Sequence, residues 1–296
     1  MENRPLGNSQ LNVSEISLGC MSFHTREQGV PILQRALDLG ITTFDTADLY
    51  DKGENEKIVG EALKAQRSSV IIATKVGNRW RENGDGWDWV PRKDYLLRAV
   101  EDSLRRLQTD YIDLYQLHGG TVADPLEEVI EAFELLQTQG KIRAYGISSI
   151  RPNTIRKWTN LSRGASCMTQ YSLLDRRPEE TTLGQLSSHQ HGVLVRGALA
   201  KGLLIDRPAR DYVGRDREAV ANLLADYQAR VPLSARAGQA VAYALAHPAV
   251  SSVVLGASHP TQLEEVIQSW RATTWTDDEQ VGLRSIFPAH FYDQHR

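Results

Sequence analysis

Residues 111–148 read YIDLYQLHGGTVADPLEEVIEAFELLQTQGKIRAYGIS, and this stretch decides the fold. Its first part, 112–117, is short and apolar and predicts a buried strand. Residues 126–139 then change period: Leu126, Val129, Ile130, Phe133 and Leu136 form one stripe, with Glu127, Glu128, Glu131 and Glu134 mostly opposite, the pattern of an amphipathic helix. Gly140 stands where helices often end on a glycine. A second apolar run, 142–148, follows at once. Two strands joined by a helix of this length are expected to lie parallel, with the helix as the crossover.

The same alternation extends in both directions. Further strands are predicted over 13–20, 42–46, 70–76, 167–172, 193–197 and 250–256. Further helices are predicted over 30–39, 55–65, 93–107, 153–161, 179–190, 234–247 and 261–272. Such alternation implies parallel strands covered on both faces. Eight units fit a closed (β/α)8 TIM barrel better than an open sheet. A doubly wound nucleotide-binding fold would carry Gly-x-Gly-x-x-Gly after its first strand; here that strand runs into Leu18-Gly19-Cys20-Met21-Ser22. P-loop, His-Glu-x-x-His and Gly-x-Ser-x-Gly patterns are absent too. The expected organisation is a single domain, 1–296. Length beyond the barrel's own goes into two long loops, 77–92 and 206–217, and a C-terminal extension, 273–296, packing on the barrel. Both loops follow strand C-termini, the face where barrels place their sites.

Composition narrows the function classes. Lys+Arg of 34 against Asp+Glu of 37 gives a formal net charge of −3. That offers no electrostatic case for a nucleic-acid or polybasic membrane partner. No uninterrupted apolar run is long enough to span a bilayer, and MENRPLGNSQ at the N-terminus has no apolar signal core. The expectation is a soluble, cytoplasmic protein. Cys20 and Cys167 read as reduced, packed thiols. His189, His191, His247, His290 and His295 form no metal-ligand pattern and read as solvated; no metal is expected.

Polar residues at strand ends are the candidates for chemistry. Asp45 and Tyr50 follow the second strand, Lys75 ends the third and His118 ends the fourth. A buried Lys75 needs a counter-charge, which Asp45 on the adjacent strand could supply. An ammonium beside a phenol stabilises the phenolate, so Tyr50 is expected to titrate closer to neutrality and to act as acid or base. His118 could bind a substrate carbonyl. Such a cluster protonates an oxygen but brings no reductant, so a hydride-donating cofactor is implied.

The segments Phe44-Asp45-Thr46-Ala47-Asp48-Leu49-Tyr50-Asp51-Lys52-Gly53-Glu54-Asn55-Glu56, Ile71-Ile72-Ala73-Thr74-Lys75, Asp113-Leu114-Tyr115-Gln116-Leu117-His118 and Gly140-Lys141-Ile142-Arg143-Ala144-Tyr145-Gly146-Ile147-Ser148 resemble the aldo-keto reductase family, in its order and over nearly the whole chain. The resemblance implies a barrel that binds NADPH across its C-terminal mouth. It also implies a catalytic tetrad of Asp45, Tyr50, Lys75 and His118, with Tyr50 the proton donor.

It further implies a cofactor site, carried over position by position. Gly19, Met21, Asp45, Ser148 and Ser149 fall at the nicotinamide end, Ser149 standing where the family usually has asparagine. Gln170 lies one residue before Tyr171, whereas the family's glutamine lies three before the tyrosine, a place held by Met168. Arg196 occupies the position of an aromatic that stacks on the nicotinamide; it could stack, hold the pyrophosphate, or form a salt bridge within the barrel. Gly197, Leu199, Lys201 and Gly202 resemble the stretch along the pyrophosphate. Gly256, Ser258, Gln262 and Glu265 resemble the adenosine end, where no Lys or Arg stands between Gly256 and Val266. NADPH is the family-weighted cofactor, and NADH is also open. Substrate contacts fall on Tyr50, His118, His24 and Trp80; Trp80, Trp87 and Trp89 alternatively anchor the 77–92 loop.

The resulting reading is an NAD(P)H-dependent oxidoreductase interconverting a carbonyl and an alcohol. Two others stand beside it: an NAD-linked sugar or polyol dehydrogenase, and a cofactor-binding regulatory subunit with little turnover. Oligomeric state is not legible from the sequence.

Overall fold

A computed structural model describes residues 1–296. The chain starts with a hairpin of β1 (Asn3–Pro5) and β2 (Asn12–Ser14), then enters the barrel as β3 (Ile16–Gly19). After helix α1 (Arg26–Asp38) come β4 (Thr43–Asp45), α2 (Glu54–Leu63) and β5 (Ile71–Val76). A second hairpin, β6 (Asn78–Trp80) with β7 (Trp87–Trp89), precedes α3 (Lys93–Leu107). The remaining units are β8 (Ile112–His118), α4 (Leu126–Thr138), β9 (Ile142–Ser148), α5 (Pro152–Leu161), β10 (Ser166–Gln170), α6 (Thr182–Ser188) and β11 (Gly192–Arg196). After them come α7 (Arg217–Arg230), α8 (Leu233–Leu245), β12 (Val250–Gly256), α9 (Pro260–Arg271) and α10 (Asp277–Ile286). β3, β4, β5, β8, β9, β10, β11 and β12 pair in parallel, in that order, and β12 closes on β3. This is a (β/α)8 barrel, as the alternation predicts.

Period-two alternation sorts each strand into a helix-facing and a lumen-facing set. Ala73, Leu114, Ala144, Met168 and Leu194 meet inside the barrel and are plugged from below by Leu6 and Val13 of the first hairpin. The lumen floor is therefore apolar and closed. Two residues further along the same faces come Lys75, Gln116, Gln170 and Arg196, so the strand ends turn polar at the opposite mouth.

Several boundaries differ from expectation. The segment 13–20 breaks at Glu15, because its first part pairs with β1 rather than within the barrel. The predicted helix 179–190 is shorter, preceded by a 3-10 turn at Arg177–Glu179. Residues 77–92 are not an open loop but a hairpin. α7 and α10 were not anticipated; α7 buries only Val220, Leu224 and Tyr227, too few apolar positions to announce itself among its arginines. His191 is buried, not solvated, and His247 and His290 are partly buried. Cys20 and Cys167 are free and buried. No helix is long and apolar enough to cross a membrane.

In the C-terminal segment Leu283 and Phe287 are fully buried, the latter against Tyr227. Arg176 donates to the Phe287 carbonyl at 2.5 Å and to Glu179 at 2.8 Å. Burial alone would raise the Glu179 carboxyl, but hydrogen bonds from Arg176, Tyr243 and Tyr171 outweigh it and hold it down to about 2.

Candidate functional site

The C-terminal mouth gathers Asp45, Tyr50, Lys75 and His118 from three neighbouring strands. Asp45 is the last residue of β4, Lys75 sits near the end of β5, and His118 ends β8. Tyr50 stands on the turn after β4, where Asp51, Lys52 and Gly53 follow in succession with φ of +48°, +57° and +88°. For Asp51 and Lys52 that left-handed backbone is uncommon.

Lys75 is 1% exposed and donates to Asp45 Oδ2 at 2.6 Å, to the Thr46 carbonyl at 2.8 Å and to Tyr50 Oη at 3.4 Å. An ammonium has three protons and no lone pair, so all three are placed and Tyr50 must be the acceptor. The phenolic proton of Tyr50 therefore points away from Lys75. Gln116, buried two residues before His118, donates to Asp45 Oδ1 at 3.5 Å, while its own Oε1 has no partner. Sequence reasoning missed Gln116, although its parity with His118 on β8 was a usable signal.

Burial pushes the Asp45 carboxyl up, against the pull of Lys75 and Gln116. It opposes the Lys75 ammonium as well, but Asp45 and Tyr50 hold Lys75 above its ordinary value. For Tyr50 the outcome is the reverse of the expectation. Burial raises its pKa above the ordinary phenol value, and Lys75 offsets only part of this, so Tyr50 does not titrate near neutrality in the free protein. Burial, then the charges of Lys75 and Arg196, lower His118 to about 3. His118 is thus a neutral imidazole, set edge-on to Tyr50 with ring centroids 5.9 Å apart, and its buried Nδ1 has no partner.

Beside this cluster the strand ends form an open shelf. Gly256, Gly19 and Asp45 lie in one row across β12, β3 and β4. A Cβ on Gly256 would come within 2.9 Å of Ser22 Oγ, and one on Gly19 within 3.1 Å of Val254, so side chains there would fill the slot. Ser148 pairs in register with His118 and Met168. Met168 is part of the lumen floor, whereas Gln170 shares its face one layer higher, at the mouth. The Gln170 amide is oriented: Nε2 donates to buried Asp175 at 2.8 Å, and Oε1 accepts from Arg196 at 3.0 Å. Arg196 is exposed and this amide is its partner, not the carboxylate of a barrel salt bridge. Lys201 is exposed beside Gly202, with left-handed φ of +57° and +86°.

Other candidates are arranged differently. The Ser149 hydroxyl is buried and accepts from the Arg151 N–H at 3.2 Å, turned into its own loop. Met21 is 60% exposed at the rim, and Leu199 is partly buried. Gln262 Oε1 takes both the N–H and the hydroxyl of Ser258 at 3.0 Å, closing the start of α9 on itself. Glu265 is exposed on α9, and its neighbour Glu264 is paired with Arg35 at 2.7 Å. His24 is exposed and bonded to Asp51 at 2.9 Å. Trp80 donates to the Leu49 carbonyl at 3.1 Å, Trp89 donates to Asp124 at 3.0 Å, and Trp87 is 47% exposed.

Fold and site together make this a (β/α)8 barrel with a lysine–carboxylate pair, a phenol and a neutral imidazole converging on one open mouth. The sequence model of the Aldo/keto reductase family matches residues 15–286, and the chain belongs to that family, oxidoreductases acting on carbonyls and alcohols. It is similar to the Uncharacterized oxidoreductase YqkF of Bacillus subtilis (strain 168), with 46% identity over 100% of both chains. It also resembles the holo form of the aldo-keto reductase AKR11C1 from Bacillus halodurans, with a TM-score of 0.95 and 47% identity, covering 100% of this chain and 99% of that one. The NADH-specific methylglyoxal reductase of Escherichia coli (strain K12) is 29% identical, over 90% of this chain and 92% of its own.

Proposed function

We propose that this protein reduces a small aldehyde or ketone to the alcohol, and runs the reverse reaction, with NADPH or NADH as the bound nicotinamide cofactor. The observation that carries the reading is the placement of the three Lys75 protons, which leaves the Tyr50 proton free to be given to a substrate oxygen. Its setting at the barrel mouth, beside a neutral His118, is where a carbonyl oxygen can be received.

The residues present fit a nicotinamide dinucleotide. Gly19 and Gly256 leave a slot that a Cβ would fill, and Gln170 presents an oriented amide at the end of β10, across β11 from it. Arg196 and Lys201 are exposed cations on the β11 side, suited to a pyrophosphate. Leu199, Gly197 and Gly202 complete this side, Ser148 ends β9 beside His118, and Ser258, Gln262 and Glu265 are the groups available to the adenosine. When bound, the nicotinamide supplies the hydride for reduction, or accepts it for oxidation. Tyr50 transfers its proton to the substrate oxygen, and the resulting phenolate is stabilised by the Lys75 ammonium, itself held by Asp45 and the Thr46 carbonyl. His118, neutral over the physiological range, orients the carbonyl by hydrogen bonding without competing for the proton. In the oxidative direction Tyr50 must first lose its proton and then takes the one from the alcohol.

This assignment fixes a pH dependence. Reduction uses the protonated phenol and neutral imidazole, both present at neutral pH because Tyr50 is raised and His118 lowered to about 3. Its kcat should stay flat from about pH 5 to 9, and oxidation should rise with pH as the phenolate form grows. A pH–rate profile in each direction checks this; a fall in reduction between pH 6 and 8 would assign the proton to another group.

No Lys or Arg stands between Gly256 and Val266, Ser258 is hydrogen-bonded to Gln262, and Arg35 on α1 is paired with Glu264. A charge-assisted hydrogen bond to a 2′-phosphate is worth roughly 1.5–3 kcal/mol, and without one NADPH and NADH should differ in Kd by no more than about tenfold. Nicotinamide fluorescence titration with each, followed by oxidation of the reduced cofactor with methylglyoxal, 4-nitrobenzaldehyde and an aldose panel, tests the whole reading. Tight binding of either cofactor with no turnover of any carbonyl would instead indicate a regulatory subunit, and preferred NAD-linked oxidation of polyols a dehydrogenase.

A further inference from the structure

We propose that the β6–β7 hairpin is a brace that fixes Tyr50 and His118 relative to one another, with Asn78 and Trp80 as positioning residues. This rests on the function proposed above. Trp80 gives its indole N–H to the carbonyl of Leu49, the residue next to Tyr50, at 3.1 Å. The amide of Asn78, two residues earlier on β6, donates to the carbonyl of His118 itself at 3.1 Å. Asn78 is 6% exposed, and its own carbonyl accepts from the Tyr95 hydroxyl at 3.3 Å. One three-residue strand thus holds the main chain on both sides of the mouth.

The second strand fastens the brace. Its Trp89 donates to Asp124 at 3.0 Å, and the Asp124 carboxylate also accepts the Thr121 N–H at 2.6 Å. The ring of Trp89 would lie 2.6 Å from a Cβ on Gly77 and 3.6 Å from one on Gly119, so it is wedged between the ends of β5 and β8. On the other side the Lys52 ammonium stands 5.2 Å from the centre of the Trp80 ring.

The brace matters because the Tyr50 turn is not a conformation its residues would hold alone. Asp51 and Lys52 both sit at positive φ, a backbone conformation that non-glycine residues hold only when the surroundings impose it. The contact of Asp51 with His24 and those of Lys52 and Leu49 with Trp80 tether the residue before Tyr50 and the two after it to its two neighbouring loops. The indole N–H of Trp80 is committed to Leu49, so Trp80 acts on the reaction through the placement of Tyr50 rather than by donating to substrate.

Trp80→Phe keeps an aromatic ring beside Lys52 and removes the indole N–H donor together with the second ring. With NADPH and 4-nitrobenzaldehyde, its single-turnover rate is expected to fall on the order of tenfold, because displacements below 1 Å matter to proton transfer at this scale. The aldehyde KM and the NADPH Kd should change less than about twofold, and the alkaline limb of the reduction profile should move as Tyr50 shifts against Lys75. In a double-mutant cycle with Tyr50→Phe, Trp80→Phe should add almost nothing, since both act through the same hydroxyl. Asn78→Ala should lower the rate in the same way, and its effect should be lost on a His118→Ala background; thermal unfolding of each variant separates this from loss of fold. An unchanged rate and alkaline limb in Trp80→Phe overturns the proposal. So does a loss carried by KM, which would make Trp80 a substrate wall, or additivity with Tyr50→Phe. If Tyr50→Phe alone retains full turnover, the proposed function has failed rather than the brace.

Discussion

Replacing Tyr50 by Phe is expected to lower carbonyl turnover by a factor of about 10²–10⁴, the range for loss of a positioned general acid, while NADPH and NADH bind as before. The argument is geometric before it is electrostatic. The ring of Tyr50 lies edge-on to His118 and 5.1 Å from the Lys75 ammonium, and Phe preserves both contacts. Only the oxygen is lost, and with it the proton that Lys75 cannot share, because the lysine donates toward Tyr50 rather than accepting from it. Lys75 keeps Asp45 and Thr46 as partners, so the fold should be nearly unaffected. The measurement is kcat for the aldehyde panel beside a fluorescence Kd for each cofactor. Full turnover in the Phe variant would move the acid role elsewhere in the mouth, and lost cofactor binding would show that the hydroxyl serves the shelf rather than the substrate.

The barrel was legible because two periods alternate along the chain without ambiguity. The 112–148 unit was read almost to the residue, since its strands are buried on both sides and its helix is strictly amphipathic. What escaped were elements held by tertiary contacts. The 77–92 hairpin owes its form to Trp80 on Leu49 and Trp89 on Asp124, partners 31 and 35 residues away in sequence. The convergence of Asp45, Tyr50, Lys75 and His118 followed from strand ends alone, but their electrostatics did not. From sequence, Lys75 beside Tyr50 suggests a lowered phenol pKa; only the depth of the site shows that desolvation exceeds that attraction. The Gln170 position is a similar case. Met168 and Gln170 share a face of β10, and the closed apolar floor beneath settles which of them reaches the mouth.

The second large effect concerns the buried ion pair beneath Tyr50. Lys75→Met should lower stability by about 3–5 kcal/mol, the cost of stranding one partner of a buried pair, and should remove most turnover as well. Asp45 is 7% exposed on its side chain. Without the ammonium it keeps only the long contact to Gln116 at 3.5 Å, and burial already pushes its carboxyl up. In the variant only the long Gln116 contact opposes that push, so Asp45 has a folded pKa above its unfolded value. Such a group contributes stability only while protonated. The deficit should therefore be small near pH 4 and should grow as pH rises through the folded pKa towards neutrality. Thermal unfolding of the variant across pH 4–8 reads this directly. At neutral pH the fall in Tm should be on the order of 10 °C, given roughly 2–4 °C per kcal/mol for chains somewhat shorter than this one. Adding Asp45→Leu removes the stranded charge, so the double variant should regain much of the lost stability, because replacing both members of a buried pair by apolar groups is often nearly neutral. It should regain no activity, because Tyr50 would still lack the ammonium that stabilises its phenolate. A double variant no more stable than Lys75→Met would mean that Asp45 was never a lone buried charge, and recovered turnover would mean that the ion pair serves the fold and not the proton transfer.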